Sequence, residues 1–258
     1  MAKIVELLAP SGAGKSTLYR HLQKRWEPAF SWAVYHDFRY ERKPRKRFPS
    51  DYIRAISKRF EKREEIEYKG AKVSKFPKER EFYRAHPEFV NRALDLIHEH
   101  NRNGYSGVDN RFHSIFFLME TAEQLQAVLE EPEDPRACLM DEGLLSRVMH
   151  LNSPRFDEEA LDRYMEHMPM PDAVIYLHLP PDELIRRIRS RERVATLHQG
   201  LEADTIEEST RRSMQLMESA IRKAEGCGSG IYRVEGSGAP EKVADKVVEI
   251  LETYGEPY

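Results

Sequence analysis

The stretch Ala9-Pro10-Ser11-Gly12-Ala13-Gly14-Lys15-Ser16-Thr17 determines the fold class of this chain. An apolar run at residues 4–8 precedes it and a segment of helical character at residues 15–26 follows, which predicts a strand, a glycine loop and a helix. The loop fits G-x-x-x-x-G-K-[ST], with alanine at the first glycine position. Glycines let successive backbone N–H groups curl around a phosphate, and the helix directs its positive end at the same anion. The pattern therefore predicts binding of a nucleoside triphosphate.

Each polar residue of this loop has an expected chemical task. Lys15 should reach the β- and γ-phosphates, and the Ser16 hydroxyl should ligate Mg²⁺. The loop residues predicted to bind the nucleotide are Gly12, Ala13, Gly14, Lys15, Ser16 and Thr17. ATP and Mg²⁺ are the expected cofactors, and GTP remains open as the donor.

Length and composition set the outer limits. The 258 residues suit one α/β domain carrying an insertion, so residues 1–258 are predicted to form a single domain. The net charge of −3 excludes a bulk polycation that binds nucleic acid through total charge, but a local basic patch is still compatible with it. With only two cysteines a disulfide framework is excluded, which favours the reducing cytoplasm. Apolar runs are shorter than 18 residues, so no membrane span is predicted.

Strands and helices alternate along the chain. After the first strand, residues 30–36, 137–140, 173–179 and 231–234 read as further strands, and the segments between them have helical patterns. Alternation of this kind predicts a parallel sheet covered on both faces. The predicted fold is a P-loop NTPase α/β fold: a five-stranded parallel sheet, helices on both faces, and a helical substrate-side insertion at about residues 40–130.

A second feature lies in the C-terminal half. Residues 175–184 (IYLHLPPDEL) run from a strand into a helix, and they are followed by Arg186, Arg187, Arg189, Arg191 and Arg193. This segment resembles the fourth strand and the arginine-rich lid of the deoxynucleoside kinase and thymidylate kinase families, where R-x-x-x-R-x-R follows the strand. Arg187, Arg191 and Arg193 fit that spacing. The resemblance implies a lid at about residues 186–204 whose guanidinium groups clamp the transferred phosphoryl group.

The resemblance covers about the first 25 residues and about residues 137–250. In these kinases the loop after the fifth strand lies beside the adenine. Here that loop contains Gly236, Ser237 and Gly238, which are predicted to bind the nucleotide, and an ordinary strand-to-helix turn is the alternative. The resemblance also implies a homodimer as one oligomeric state.

The acceptor side is expected at the ends of the second and third strands. Nucleoside kinases have a carboxylate after the second strand, and Asp37 is predicted to be this acceptor-facing base. Arg39 and Arg111 are predicted to contact the substrate. The basic run 39–47 fits an anionic substrate, a nucleic-acid backbone or simply a solvated loop.

The third strand is predicted to end at a metal and substrate site. Asp141 or Glu142 is expected to hold Mg²⁺ through water, with Asp141 favoured as the metal residue alongside Ser16, and Glu142 is the expected substrate-side acid. The resembling kinases carry an arginine directly after the acidic residue, whereas this chain has Gly143. Arg147, one helical turn further on, is predicted to take that place. The ten histidines show no metal-ligand spacing, so no structural zinc is predicted.

The sequence thus predicts an ATP- and Mg²⁺-dependent phosphotransferase, a small-molecule kinase similar to the nucleoside and nucleotide kinases. A kinase of a sugar, a sugar nucleotide or a polynucleotide 5′ end is an alternative, because the arginine after Glu142 is missing and the run 39–47 is basic. An NTP-hydrolysing ATPase or switch is a second alternative, because Asp141-Glu142 follows an apolar strand as in many ATPases.

Overall fold

The computed structural model describes residues 2–42, 68–71, 78–100, 109–131, 134–151, 157–190 and 202–254. Within these ranges the strands, in chain order, are β1 Lys3–Leu8, β2 Trp32–Val34, β3 Tyr40–Arg42, β4 Tyr68–Ala71, β5 Ala137–Met140, β6 Ala173–His178 and β7 Gly230–Glu235. Five of them form one sheet in the order β2-β5-β1-β6-β7. All four neighbouring pairs in this sheet are parallel, as predicted.

The helices of the described ranges surround this sheet. In chain order they are α1 Lys15–Arg25, α2 Tyr35–Arg39, α3 Glu79–Ala85, α4 Pro87–His100, α5 Arg111–Leu129, α6 Leu144–Arg147, α7 Glu158–Met165, α8 Pro181–Arg189, α9 Ala203–Gly226 and α10 Pro240–Glu252, with a short 3-10 helix at Val148–Leu151 after α6. None of them combines the length and hydropathy that a membrane crossing requires.

Burial along the central strands shows that both faces of the sheet are covered. Consecutive residues of a strand point to opposite faces, and Val5, Leu7 and Leu8 of β1 are all inaccessible to solvent. Residues 173–177 of β6 are buried in the same way. The α/β fold class with helices on both faces is therefore confirmed, and the glycine loop joins the central strand to α1 as in P-loop NTPases.

The second strand is shorter than predicted. Only Trp32–Val34 is extended, because β2 pairs with β5 over those three residues alone, from Trp32 opposite Ala137 to Val34 opposite Leu139. The chain then turns directly into α2 at Tyr35. The prediction of a strand at residues 30–36 is wrong for residues 30–31, which precede the strand, and for residues 35–36, which begin α2, and Asp37 lies inside this short helix.

The segment at about residues 40–130 is helical where it is described, with one exception. β3 and β4 form an antiparallel pair with Tyr40 opposite Ala71, so the segment contains a small two-stranded sheet that the helical pattern did not indicate. α3, α4 and α5 pack against one another, and α5 also contacts α2 and α6. This packing brings the insertion beside the carboxyl ends of β2 and β5.

Candidate active site

All five parallel strands end at one edge of the sheet, where an open parallel sheet normally binds its ligand. The glycine loop follows β1, Asp141 follows β5, and Gly236 follows β7. α2, with Asp37, follows β2 directly. Residues from distant parts of the sequence are therefore assembled at this edge because the strands are parallel and adjacent.

Two glycines give the phosphate loop its conformation. Gly12 and Gly14 have φ values of 93° and 98°, a left-handed region that a side chain disfavours. The Ala13 N–H donates to the Pro10 carbonyl (3.1 Å), and the Leu18 N–H donates to the Gly14 carbonyl (3.0 Å) at the start of α1. The loop therefore enters the helix as a tight backbone turn with the N-terminus of α1 facing its concave side.

Two other elements pack closely on this loop. A Cβ added to Gly12 would lie 3.1 Å from Cγ1 of Ile188 in α8. A Cβ added to Gly236 would lie 3.2 Å from the Ala13 carbonyl oxygen and 3.0 Å from Cδ1 of Leu177. The Gly236 N–H donates to the His178 carbonyl (2.9 Å). The loop after β7 thus touches the phosphate loop, and Gly236 is needed for that approach.

The Ser237 and Gly238 positions are less constrained. The Ser237 hydroxyl donates to Glu235 (2.6 Å), and the nearest atom to a Cβ on Gly238 would be 3.7 Å away. The nucleotide-binding role predicted for these two residues therefore remains a prediction, although the loop that carries them lies beside the phosphate loop.

Lys15 begins a row of charged side chains. Its ammonium group donates to the Asp141 carbonyl oxygen and lies 3.5 Å from Oε1 of Glu142. The other oxygen of Glu142 lies 2.8 Å from Nη1 of Arg147. Arg147 is buried, and its Nε donates to the Thr121 hydroxyl in α5 (2.7 Å). The row therefore runs from the phosphate loop through the β5–α6 loop to the insertion.

Asp141 and Glu142, the two acidic residues that follow β5, have opposite pKa shifts. Burial by itself raises the pKa of Glu142, but the positive charges of Lys15 and Arg147 and the hydrogen bonds from both hold it below its usual value. Burial also raises the pKa of Asp141, and there the nearby charges of Lys15 and His36 do not overcome it. Glu142 is thus a stable carboxylate between two cations, whereas Asp141 is a carboxylate that lacks full charge compensation.

The donor set fits a Mg²⁺ ion bound together with a nucleotide. Within the described ranges, no group of three or more His, Cys, Asp or Glu side chains is placed to hold a metal without help. Mg²⁺ is usually held by one or two carboxylates and by substrate phosphates, so it does not require such a group. The Ser16 hydroxyl at the exposed start of α1 and the incompletely compensated Asp141 are oxygen ligands of the required type.

The two candidate residues of α2 are both buried. Asp37 has no solvent exposure. The Arg39 guanidinium donates to the Tyr35 hydroxyl (2.5 Å) and to Glu123 of α5 (3.0 Å). Arg39 therefore connects α2 to the insertion, and contact between Arg39 and a substrate remains a prediction.

The lid and the outer part of the insertion are described only in part. Arg191 and Arg193 lie outside the described residues, as do positions 43–47 of the basic run. The Arg187 Nε donates to Glu183 (2.7 Å), which Arg186 also contacts. Hydrogen bonds from both arginines lower the pKa of Glu183 to about 2.

Arg111 lies at the start of α5. Its guanidinium donates hydrogen bonds to the Asp109 carboxylate and lies 3.1 Å from Nδ1 of His98. Its predicted contact with the substrate is not tested by these bonds. The neighbouring Phe112 is 82% exposed, so this aromatic residue at the start of an apolar helix is not part of the core.

Sequence reasoning missed several residues of this site. Glu6 in β1 is buried and accepts hydrogen bonds from the start of α6. The only hint in the sequence was a charged residue inside an otherwise apolar run (IVELL). Thr121 and Glu123 in α5 hold Arg147 and Arg39, and no local pattern distinguished them from the other polar residues of this helix.

Comparison with solved structures found similar chains. Deoxyadenosine kinase from M. mycoides with the products dCMP and a flexible dCDP matches with 14% identity and a TM-score of 0.48, covering 97% of this chain and 98% of that chain. The same kinase with bound dATP matches with 14% identity and a TM-score of 0.45, covering 96% and 98%. No family model matches the sequence, and the search of curated proteins found no significant match.

Proposed function

We propose that this protein is an ATP- and Mg²⁺-dependent phosphotransferase, similar to the nucleoside and nucleotide kinases, that transfers the γ-phosphoryl group to a hydroxyl or phosphate of a small-molecule acceptor. The observation that supports this most strongly is the row from Lys15 through Glu142 to Arg147. It connects the phosphate loop to α5 of the insertion through Thr121. The triphosphate site and the segment expected to hold the acceptor are thus one connected unit.

The chemistry assigned to each residue follows from its charge and place. Lys15 stabilises the negative charge that spreads over the γ-phosphate oxygens during transfer, and Arg187 with the lid arginines adds to it. Ser16 and Asp141 would hold a Mg²⁺ ion, which would supply positive charge for the triphosphate. Asp37 orients the acceptor.

The state of Glu142 supports a kinase over a hydrolase. A hydrolytic ATPase needs a group that positions or deprotonates the attacking water. Glu142 is the residue that an Asp-Glu pair after an apolar strand would assign to this task, yet Lys15 and Arg147 hold its pKa below the usual value. The position of Glu142 between Lys15 and Arg147 suits it to holding these two cations in place.

A panel of acceptors tests the proposal. ADP release from Mg·ATP is measured with nucleosides, nucleoside monophosphates, sugars, sugar nucleotides and 5′-hydroxyl oligonucleotides, with Lys15→Ala as the blank. We expect one acceptor class to raise the rate many-fold while the blank stays silent. That result names the acceptor, which separates a nucleoside or nucleotide kinase from a sugar, sugar-nucleotide or polynucleotide kinase.

The second candidate function is an NTP-hydrolysing ATPase or switch, which the Asp141-Glu142 pair after β5 favours. It predicts equal ADP release in every well of the panel, abolished by Lys15→Ala. In the same assay Glu142→Gln separates the two functions, since a water-activating glutamate is required for basal hydrolysis. If Glu142→Gln leaves basal hydrolysis unchanged, Glu142 does not serve that task.

A further inference from the structure

Glu6 is a charged residue in the centre of an apolar strand. It lies in β1 between Val5 and Leu7, and its exposure is 2%. An ionised carboxylate in such a place is costly unless hydrogen bonds and charge compensate it. Three donors offset part of this cost: the Leu145 N–H (3.1 Å), the Ser146 N–H (2.6 Å) and the Ser146 hydroxyl (2.8 Å). Burial still outweighs these bonds and raises the pKa of Glu6 above its usual value. These bonds join residues about 140 positions apart in the sequence.

These hydrogen bonds fix the position of the segment that carries Glu142 and Arg147. Leu145 and Ser146 belong to α6, whose first N–H groups have no partner within the helix. Glu6 provides those partners from the central strand. The α6 segment begins directly after Asp141-Glu142-Gly143 and ends at Arg147, which pairs with Glu142. The Glu6 carboxylate therefore fixes the position of residues 141–147 relative to β1.

Gly143 shows how tightly this carboxylate fits. Its backbone angles, φ −90° and ψ −167°, are ones that any residue adopts, so glycine is not needed for conformation. A Cβ at this position would nevertheless collide with Oε2 of Glu6 and lie 2.5 Å from its Cδ. A side chain at position 143, arginine included, would therefore require the Glu6 carboxylate to shift.

We propose that Glu6 is a positioning residue of the active site: its carboxylate holds the 141–147 loop, which carries Asp141, so that Glu142 lies between Lys15 and Arg147. The proposal rests on the proposed function, because it assigns Asp141 to the nucleotide-bound Mg²⁺. Glu6 acts only through the loop. Its loss is expected to affect the Mg²⁺-dependent part of nucleotide binding and to leave the glycine loop, which has its own backbone turn, unaffected.

The test compares Glu6→Gln with a matched control. Glutamine keeps the size of the side chain, but its amide group turns a donor towards one of the donors of α6. Glu252→Gln is the control, because Glu252 also accepts two bonds, from the Ser31 hydroxyl (2.6 Å) and the Trp32 Nε1 (3.0 Å), at the opposite end of the sheet. The probe is the non-hydrolysable analogue AMP-PNP, whose affinity is measured by calorimetry with Mg²⁺ and with EDTA.

We expect Mg²⁺ to tighten AMP-PNP binding in the wild-type protein. In Glu6→Gln that tightening should fall roughly 10- to 100-fold, the usual cost of losing a residue that orients a metal ligand. The affinity in EDTA should change less than about twofold, and Glu252→Gln should retain the full Mg²⁺ effect. Equal loss with Mg²⁺ and with EDTA, or a full Mg²⁺ effect in Glu6→Gln, would overturn the proposal.

Two further measurements keep the test decisive. Should Glu6→Gln not fold, Ser146→Ala removes only one of the three bonds and should show a smaller loss of the same kind. Gly143→Ala should lower the denaturation midpoint in the wild-type background and have almost no effect in Glu6→Ala, where the colliding carboxylate is gone. An equal effect in both backgrounds would overturn the steric link. If wild-type protein binds AMP-PNP without any Mg²⁺ effect, the proposed function fails instead.

Discussion

The two halves of the candidate site are built by different means. The nucleotide half, at the glycine loop, takes its shape from backbone: two glycines with positive φ, a helix N-terminus, and close contacts to α8 and the loop after β7. The acceptor half takes its shape from side chains that reach across the chain. Examples are the Arg39–Glu123 and Arg147–Glu142 ion pairs. Replacing a glycine should therefore disturb the structure of the nucleotide half most, and removing a charged side chain should disturb the structure of the acceptor half most.

The largest loss of activity is expected on replacing Lys15, which belongs to both halves of the site. Lys15→Ala should lower acceptor-dependent ADP production at least 100-fold, because a preorganised positive charge on the transferred phosphoryl group is lost. The assay is a coupled measurement of ADP under saturating Mg·ATP. Lys24→Ala, an exposed lysine on the same helix, serves as the control and should match the wild type. Similar rates in the two variants would show that Lys15 does not contact the transferred group.

The next effect concerns the acceptor half. Arg147→Met should lower the free energy of unfolding by about 2 kcal/mol, because the charge-assisted hydrogen bonds of the buried Arg147 guanidinium to Glu142 and Thr121 are removed. Arg163→Met is the matched control. Arg163 forms an ion pair with Glu99 on a more exposed surface, so its loss should cost less than about 1 kcal/mol. Urea unfolding measures both, and equal losses would show that the charged row does not support the fold.

The nucleotide half is tested by its two glycines. Gly14→Ala should cost about 1 kcal/mol through its positive φ alone, since no atom lies within 4 Å of the added Cβ. Gly12→Ala should cost about 2 kcal/mol, because its Cβ also presses on Ile188. Thermal unfolding of the two variants gives the difference. If Gly14→Ala is the more damaging, the packing of α8 on the loop is not what constrains Gly12.

The smallest effect is electrostatic and concerns the lid. The pKa of Glu183 is lowered to about 2 by hydrogen bonds from Arg186 and Arg187. Because the folded-state pKa lies below the ordinary value of 4.5, these bonds stabilise the fold above that pH and lose their effect as pH falls towards 2. The stability difference between wild type and Glu183→Gln should be constant above pH 5, vanish near pH 2, and shrink in high salt. A carboxyl titration by NMR that gives an ordinary pKa would contradict this.

The sequence predicted the strand, the glycine loop and the helix of the nucleotide half well, because these depend on local patterns. Nucleotide binding by the loop residues remains a prediction. Glycine positions, the strand before them and the helix after them are all visible within about 25 residues. The ends of β2 were harder to predict from the sequence, because they depend on how many residues of β5 pair with β2. Without that knowledge, Tyr35 and the following histidine look like a continuation of an aromatic strand.

The acceptor half could be predicted only as a set of candidate residues. Asp141, Glu142 and Arg147 were identified, but their arrangement depends on Glu6 and Thr121, which are far away in sequence. No local sequence pattern shows which residues a buried carboxylate in a central strand or a threonine in α5 will contact. The pairing emerges only when β1, β5 and α5 come together.

The central claim is that the γ-phosphoryl group of ATP is transferred to an acceptor and not to water. The most direct measurement is ³¹P NMR of a reaction with Mg·ATP and the acceptor panel, which follows where that group appears. We predict a new phosphorus signal on an acceptor, together with ADP and little inorganic phosphate. Inorganic phosphate as the sole product, formed at the same rate with and without every acceptor, would contradict the kinase and leave the hydrolytic function.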